Sequence, residues 1–129
     1  MSNISKISFI DNNAAVARPD QFVEAKISVE KAIQSWRLSV FSFEWMNKDG
    51  SIKSAEELSP REQPKRLDVE RRVEQGNPLP KPILGIGLED NIEIGSERAV
   101  FLTLAALGAD SIPVHIPASN QDDFQDFIV

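Results

Sequence analysis

The chain has 129 residues, 41% of them hydrophobic, with eight prolines, one histidine, no cysteine and a net charge of −6. That length suits a single domain over 1–129 with a real core, and the lack of a membrane-length apolar run or signal-peptide pattern leads us to expect a cytoplasmic protein with no membrane partner. Absent cysteine excludes a disulfide framework, a thiolate nucleophile and cysteine metal sites, a lone histidine excludes a multi-histidine zinc centre, and the acidic balance argues against broad nucleic-acid binding.

Residues Met1 to Asp20 alternate weakly around Ile4, Ile7, Phe9 and Ile10, a short strand that passes into a polar loop. The spacing of Phe22, Ala25 and Ile27 predicts a strand to about Ile27. Ser28-Val29-Glu30-Lys31 then caps a helix from about Val29, with Val29, Ala32, Ile33 and Trp36 apolar. From Arg37 to Met46, Leu38 and Val40 alternate, then Phe41, Phe43 and Trp45 one residue out of step, predicting a strand with a bulge near Val40-Phe41. Trp36 and Trp45 read as core packing rather than a base-stacking platform. Ser51 to Ser59 reads as an exposed linker.

Ser59-Pro60-Arg61-Glu62 is a capping box, and Pro64 moves the start of the regular helix towards Lys65. Leu67, Val69 and Val73 form the incomplete apolar stripe of a surface helix, stopped by Gly76-Asn77-Pro78. This helix carries Lys65, Arg66, Arg71 and Arg72, with Arg61 before it, against Glu62, Asp68 and Glu70. Two readings stand: a DNA-backbone contact through Lys65, Arg66, Arg71 and Arg72, or a solvated, self-neutralised helix face, which composition favours.

Ile83-Leu84-Gly85-Ile86-Gly87 and Ile92-Glu93-Ile94 flank the turn residues Glu89-Asp90-Asn91, the pattern of an antiparallel hairpin. Gly95-Ser96-Glu97-Arg98 then leads into an apolar helix from Ala99 to Leu107, where only Thr103 is polar, closed by Gly108. Ser96 is the expected N-cap. Glu97 suits the positive end of the helix dipole, and Arg98 opposes it. Either Arg98 pairs with Glu93, Asp90 or Glu97, or the turn is an anion site. Ile112-Pro113-Val114-His115-Ile116 alternates as a strand with His115 on its open side, structural or solvated rather than a general base. Asp122, Asp123, Phe124, Asp126 and Phe127 make an acidic, aromatic tail over 117–129, suited to docking on a basic partner or to neutralising the basic helix.

Taken together, the helix from Lys65, Pro82-Ile83-Leu84, the hairpin, Gly95-x-x-Arg98 with its helix, Gly108 and Ile112-Pro113-Val114 resemble the ParB/sulfiredoxin superfamily. The resemblance covers 60–116, leaving 1–58 as an N-terminal elaboration. It implies an α+β fold, a small mixed β-sheet packed with helices, whose turn holds nucleotide phosphates. Gly95 and Arg98 match both the G-E-R-R turn of ParB-type proteins and the G-C-H-R turn of sulfiredoxins. Ser96 stands in place of the sulfiredoxin cysteine and Glu97 in place of its histidine, so sulfiredoxin chemistry is excluded.

The E-N-x-x-R motif of ParB has no counterpart here, an arginine of the ParB turn is Glu97, and no helix-turn-helix domain follows. Superfamily members lacking that domain, often on plasmids or other mobile elements, are described as nucleases or nucleotide hydrolases. The resemblance therefore implies ATP or CTP with Mg2+ bound at Gly95, Ser96 and Arg98, with Lys81 in reach of a phosphate. Glu97 and Glu93 would be the catalytic acids, aided by Asp90, in a nucleotide hydrolase or DNase. The alternative is a noncatalytic interaction or inhibitor protein that keeps the fold without the chemistry.

Overall fold

The computed structural model describes residues 7–129, so Ile4 of the expected first strand lies outside the described residues. Strand β1 (Phe9–Ile10) is followed by the single-turn helix α1 (Asn13–Val16). Strand β2 (Phe22–Ser28) runs directly into helix α2 (Val29–Trp36), where Ser28 Oγ accepts from the Lys31 N–H at 3.4 Å. Helix α2 buries Val29, Ala32 and Trp36, a stripe with helical spacing. The strand-to-helix switch falls where the spacing placed it.

Helix α3 (Gln63–Gln75) ends on Gly76, whose φ of 71° is the left-handed C-cap that glycine adopts without strain. Then come β3 (Leu79–Pro80), the hairpin of β4 (Ile83–Ile86) and β5 (Ile92–Ser96), helix α4 (Arg98–Ala106) and strand β6 (Ser111–Pro117). The hairpin closes through Gly87 N–H to Asn91 O at 2.7 Å, with Asp90 left-handed at φ 57°. In the larger sheet the strand order is β2-β6-β4-β5. Strand β2 lies antiparallel to β6 over its whole length, β6 is parallel to β4, and β4 is antiparallel to β5. A second, two-stranded sheet pairs β1 with β3 in parallel. The class is α+β with a small mixed sheet, as expected.

Val100, Phe101, Leu102, Thr103 and Leu104 of α4 are buried in succession, so this helix is enclosed over most of its circumference. Its neighbours in the core include Leu84, Ile92, Ile112 and Val114 of the sheet and Val69 and Val73 of α3. Ahead of α3, β2 is an edge strand of the main sheet, and Ile27, Ala32, Trp36 and Trp45 belong to the same core as α4. Among the described residues no helix is long and apolar enough to cross a membrane.

Three local expectations are corrected. Arg37 to Met46 is not a strand but a succession of turns with a 3-10 turn at Ser42–Glu44. Its serines satisfy the backbone locally: Ser39 Oγ accepts from the Phe41 N–H at 3.2 Å and Ser42 Oγ donates to Arg37 O at 3.1 Å. Trp36 and Trp45 anchor the segment in the core as expected, whereas Leu38, Val40, Phe41 and Phe43 are exposed.

The second correction concerns the approach to α3. Ser59 Oγ accepts from the Glu62 N–H at 3.3 Å, but the Glu62 carboxylate takes the Trp45 Nε1–H at 3.1 Å instead of returning to Ser59. Half of the capping box forms, and α3 starts at Gln63 with Pro64 in its first turn. Within the expected linker, Ala55–Glu57 is a 3-10 turn, stabilised by the Ser54 N–H donating to the Glu57 carboxylate at 2.8 Å.

Third, the acidic tail folds back. Residues Ala118–Phe127 form 3-10 turns, Phe124 is fully buried, and the Phe127 ring meets it edge-on at 6.3 Å. Val129 N–H reaches Lys26 O at 2.9 Å. The aromatic residues expected to dock on a partner are part of this protein's own core and its cover.

Candidate functional site

The start of α4 differs in detail from the expected turn. Strand β5 continues through Gly95 and Ser96, and the reversal falls on Glu97 alone, left-handed at φ 57°. A non-glycine residue held there costs about 1 kcal/mol. Ser96 is not the cap, because its hydroxyl accepts from Asn12 Nδ2 at 3.0 Å inside the strand. Helix α4 has no side-chain cap, so the first-turn N–H groups, which have no intrahelical partner, face outward uncapped. They give the helix end its partial positive charge.

Arg98 pairs with none of its three expected partners. Its Nη1 lies 3.4 Å from Glu44 Oε1, and its guanidinium carbon sits 4.9 Å from the Phe41 ring centre and 5.8 Å from that of Trp36. Glu93 is otherwise engaged, accepting from Ser39 Oγ at 2.6 Å and Asn91 Nδ2 at 3.0 Å. Two donors in this corner, Arg98 Nε and Trp36 Nε1, are buried without an acceptor.

Where α3 packs beside the start of α4, a cleft of about 670 Å³ opens. Arg61, Lys65, Arg72 and Arg98 line it, with Glu44, Glu62, Asp68 and Glu97. The charges interlock. Glu44 joins Arg61 at 2.6 Å to Arg98, Glu62 takes Lys65 at 3.1 Å and Arg61 at 3.2 Å, and Asp68 takes Arg72 at 3.4 Å. Burial pushes the Glu62 carboxyl up, but hydrogen bonds from Trp45, Lys65 and Arg61 outweigh it and hold the pKa below the usual value. Among the described residues, Glu97 is the cleft acid without an ion pair.

The structure thus brings Arg98, Glu97, Lys65 and Arg72 together and leaves other named residues apart. Arg66 is buried, bonded to Glu70 at 3.0 Å and to Lys53 O, so it ties α3 to the preceding segment. Arg71 pairs with Asp68 one turn away. A helix advances about 100° per residue, so Lys65 and Arg72, seven residues apart, share the face at the cleft, while Arg66 and Arg71 point away from it. Gly95 and Ser96 are outside the cleft lining, as are Glu93 and Lys81. Lys81 is held between Asp11, at 2.8 Å, and Glu24. Burial lowers its pKa, and those two carboxylates more than reverse this, so the ammonium is kept charged. Gly95 needs no special backbone room, since an added Cβ would meet only Ile83 O at 3.7 Å.

Sequence reasoning passed over Glu44 and Asn12. Asn12 is buried. Its side chain donates to Lys81 O and Ser96 Oγ, both at 3.0 Å, and accepts from the Ala14 N–H at 3.0 Å. Its own N–H donates to His115 Nε2 at 3.2 Å. His115 is therefore buried and structural rather than on an open face, and its accepting Nε2 requires the neutral ring.

Burial pushes the His115 pKa below its ordinary 6.5, with Lys81 acting the same way and Asp11 and Glu24 opposing. The folded state thus disfavours the proton. His115 contributes stability that is complete above the unfolded value and lost as pH falls through the folded one. The urea midpoint should fall between about pH 7.5 and about pH 5.5 in the wild type, and fall less in His115→Gln. Equal slopes in both proteins would remove His115 as the cause.

Among the described residues, no three histidine, aspartate or glutamate side chains cluster as a metal site. A magnesium ion carried on phosphates asks less, one or two carboxylates and the phosphate oxygens, and Glu97 is the residue available for that. No family model, curated protein or solved structure matches this chain.

Proposed function

We propose that the cleft at the start of α4 binds a phosphate-bearing ligand of nucleotide size. One observation carries this reading: an uncapped helix N-terminus, entered through a strained left-handed Glu97, opens into a cleft with Arg98, Arg61, Lys65 and Arg72. Free N–H groups and a helix dipole favour an anion, and guanidinium groups bind phosphate oxygens in pairs. The cleft volume lies within the ~300–1,000 Å³ typical of small-molecule sites. The buried, acceptor-less Arg98 Nε supports the same reading. So does the resemblance to the ParB/sulfiredoxin superfamily, whose members place nucleotide phosphates at the corresponding turn.

The acids set the strength. Glu44, Glu62 and Asp68 already pair with all four cations. A phosphate must exchange with carboxylates rather than fill an empty positive field. Binding is therefore modest and salt-sensitive. Hydrolysis of a nucleotide or of a phosphodiester adds the need for a group that holds a metal or orients a water. Of the two acids first considered, Glu97 is at the cleft for that role and Glu93 is engaged elsewhere.

Calorimetric titration of ATP, CTP and GTP with magnesium should show binding to the wild type. In Arg98→Ala it should be weakened at least about tenfold, the worth of one charge-assisted hydrogen bond, with circular dichroism unchanged. No heat with any nucleotide in the wild type would sink the proposal. The second reading, a noncatalytic interaction protein, would then lead. It is favoured by the exposed Leu38, Val40 and Phe43 and by the full pairing of the α3 cations.

A further inference from the structure

We propose a second binding site, separate from the cleft at α4, for a small organic ammonium that carries a neutral oxygen acceptor beside its charge. The site is a pocket of about 350 Å³ between the β1–α1 segment and the sheet face shared by β2 and β6. Nothing in it depends on the phosphate reading. Strand register sets its polar floor. Glu24 stands opposite His115 in the β2–β6 pairing, so both side chains leave the same face, and Phe22 lies two residues along on that face. Asp11 joins them from the turn before α1. Lys81 holds the two carboxylates, its Nζ bonding Asp11 Oδ1 at 2.8 Å and also Glu24 Oε1. Asp11 Oδ2 and Glu24 Oε2 accept no hydrogen bond among the described residues. Two carboxylates around one ammonium leave an excess of negative charge. Because Lys81 pins both acids, little ordering entropy remains to be lost on binding.

An acidic pair alone is ordinary surface chemistry, and His115 makes the difference. It is 8% exposed and lines this pocket. Its Nε2 accepts the Asn12 N–H at 3.2 Å, so the proton of the neutral ring is on Nδ1. Nδ1 has no partner among the described residues, yet it is not sealed from solvent as Trp36 Nε1, Arg98 Nε and Thr103 Oγ1 are. The open space beside the ring is this pocket. An unpaired donor there calls for an acceptor, and the excess charge calls for a cation. A metal ion meets only the charge and faces the Nδ1–H. A carboxylate meets the donor but is repelled by the acids. An ammonium with a neighbouring carbonyl or hydroxyl satisfies both, and its alkyl part packs on Val16, Pro19 and Phe22. The volume is at the small end of the ~300–1,000 Å³ range of ligand pockets. Such a ligand displaces no ion pair, since it and Lys81 use different carboxylate oxygens.

The test follows backbone amide shifts by NMR at about pH 7, where an α-ammonium is mostly charged and His115, its pKa lowered by burial, is neutral. Leucinamide should bind saturably and move the signals of Asp11, Glu24 and His115. N-acetyl-leucinamide lacks the charge and isoamylamine lacks the carbonyl, and each should bind at least about fivefold more weakly. Glu24→Gln, at an exposed position on an edge strand, should weaken leucinamide by a similar factor of about five with the urea midpoint little changed. Leucyl-glycinamide distinguishes the source of the ammonium. Affinity equal to leucinamide identifies the amino end of a peptide, and its exclusion identifies a free small amine. Three results overturn the assignment: no saturable shift with leucinamide, equal affinity for either comparison ligand, or unchanged affinity in Glu24→Gln.

Discussion

Replacing Phe124 by alanine is expected to destabilise the protein by about 3–5 kcal/mol, the range for deleting a fully buried aromatic side chain. The ring has no exposed surface and meets Phe127 edge-on. It is delivered by a segment in which Asp122, Asp123 and Asp126 face water. A mobile acidic arm would lose less than about 0.5 kcal/mol on the same change, as exposed substitutions do. Urea unfolding followed by far-ultraviolet circular dichroism separates the two, since a midpoint shift at unchanged slope reports stability alone. A shift near zero would show that the last twelve residues contribute nothing to the core and restore them as a docking segment.

The same segment shows why parts of this chain were readable and others were not. The β2–α2 junction, the β4–β5 hairpin, α4 and β6 were legible because each is written locally: a cap at Ser28, turn residues at Asp90-Asn91, a glycine at 108 with φ 99°. Two apolar clusters misled. Phe124 read as part of an acidic, aromatic tail suited to docking or to neutralising the basic helix, because its pocket is built by strands elsewhere in the chain. Leu38 to Trp45 looked like a strand because its alternation is real, yet hydroxyls of Ser39 and Ser42 tie the backbone into turns. Charge partners were the least readable feature. Arg98 finds Glu44 across 54 residues and Lys81 finds Glu24 across 57. Spacing rules for neighbouring charges say nothing about such pairs. Of the turn singled out in the sequence, Glu97 and Arg98 line the cleft and Gly95 and Ser96 do not, while its walls, from Glu44 and α3, come from tertiary packing.

Asn12→Ala should cost about 2–4 kcal/mol, although nothing in its sequence surroundings marks the position. The substitution removes the acceptor that caps the Ala14 N–H and the two donors that satisfy Lys81 O and Ser96 Oγ. Each buried group left unpaired carries a penalty of about 1–3 kcal/mol, softened where water can enter. The backbone N–H to His115 survives the change, so the loss isolates the side chain. Asn12→Asp sharpens the test. It keeps the acceptor for Ala14 but offers the Lys81 carbonyl a negative charge in place of a donor, so it should be at least as damaging as alanine at neutral pH and less so in acid. Both variants are read by urea unfolding at matched pH. If Asn12→Asp behaved as wild type, the cap alone would matter. The link from β1 through Asn12 to the end of β5 would then be idle, and Ser96, which precedes the strained Glu97, would be held by the sheet without it.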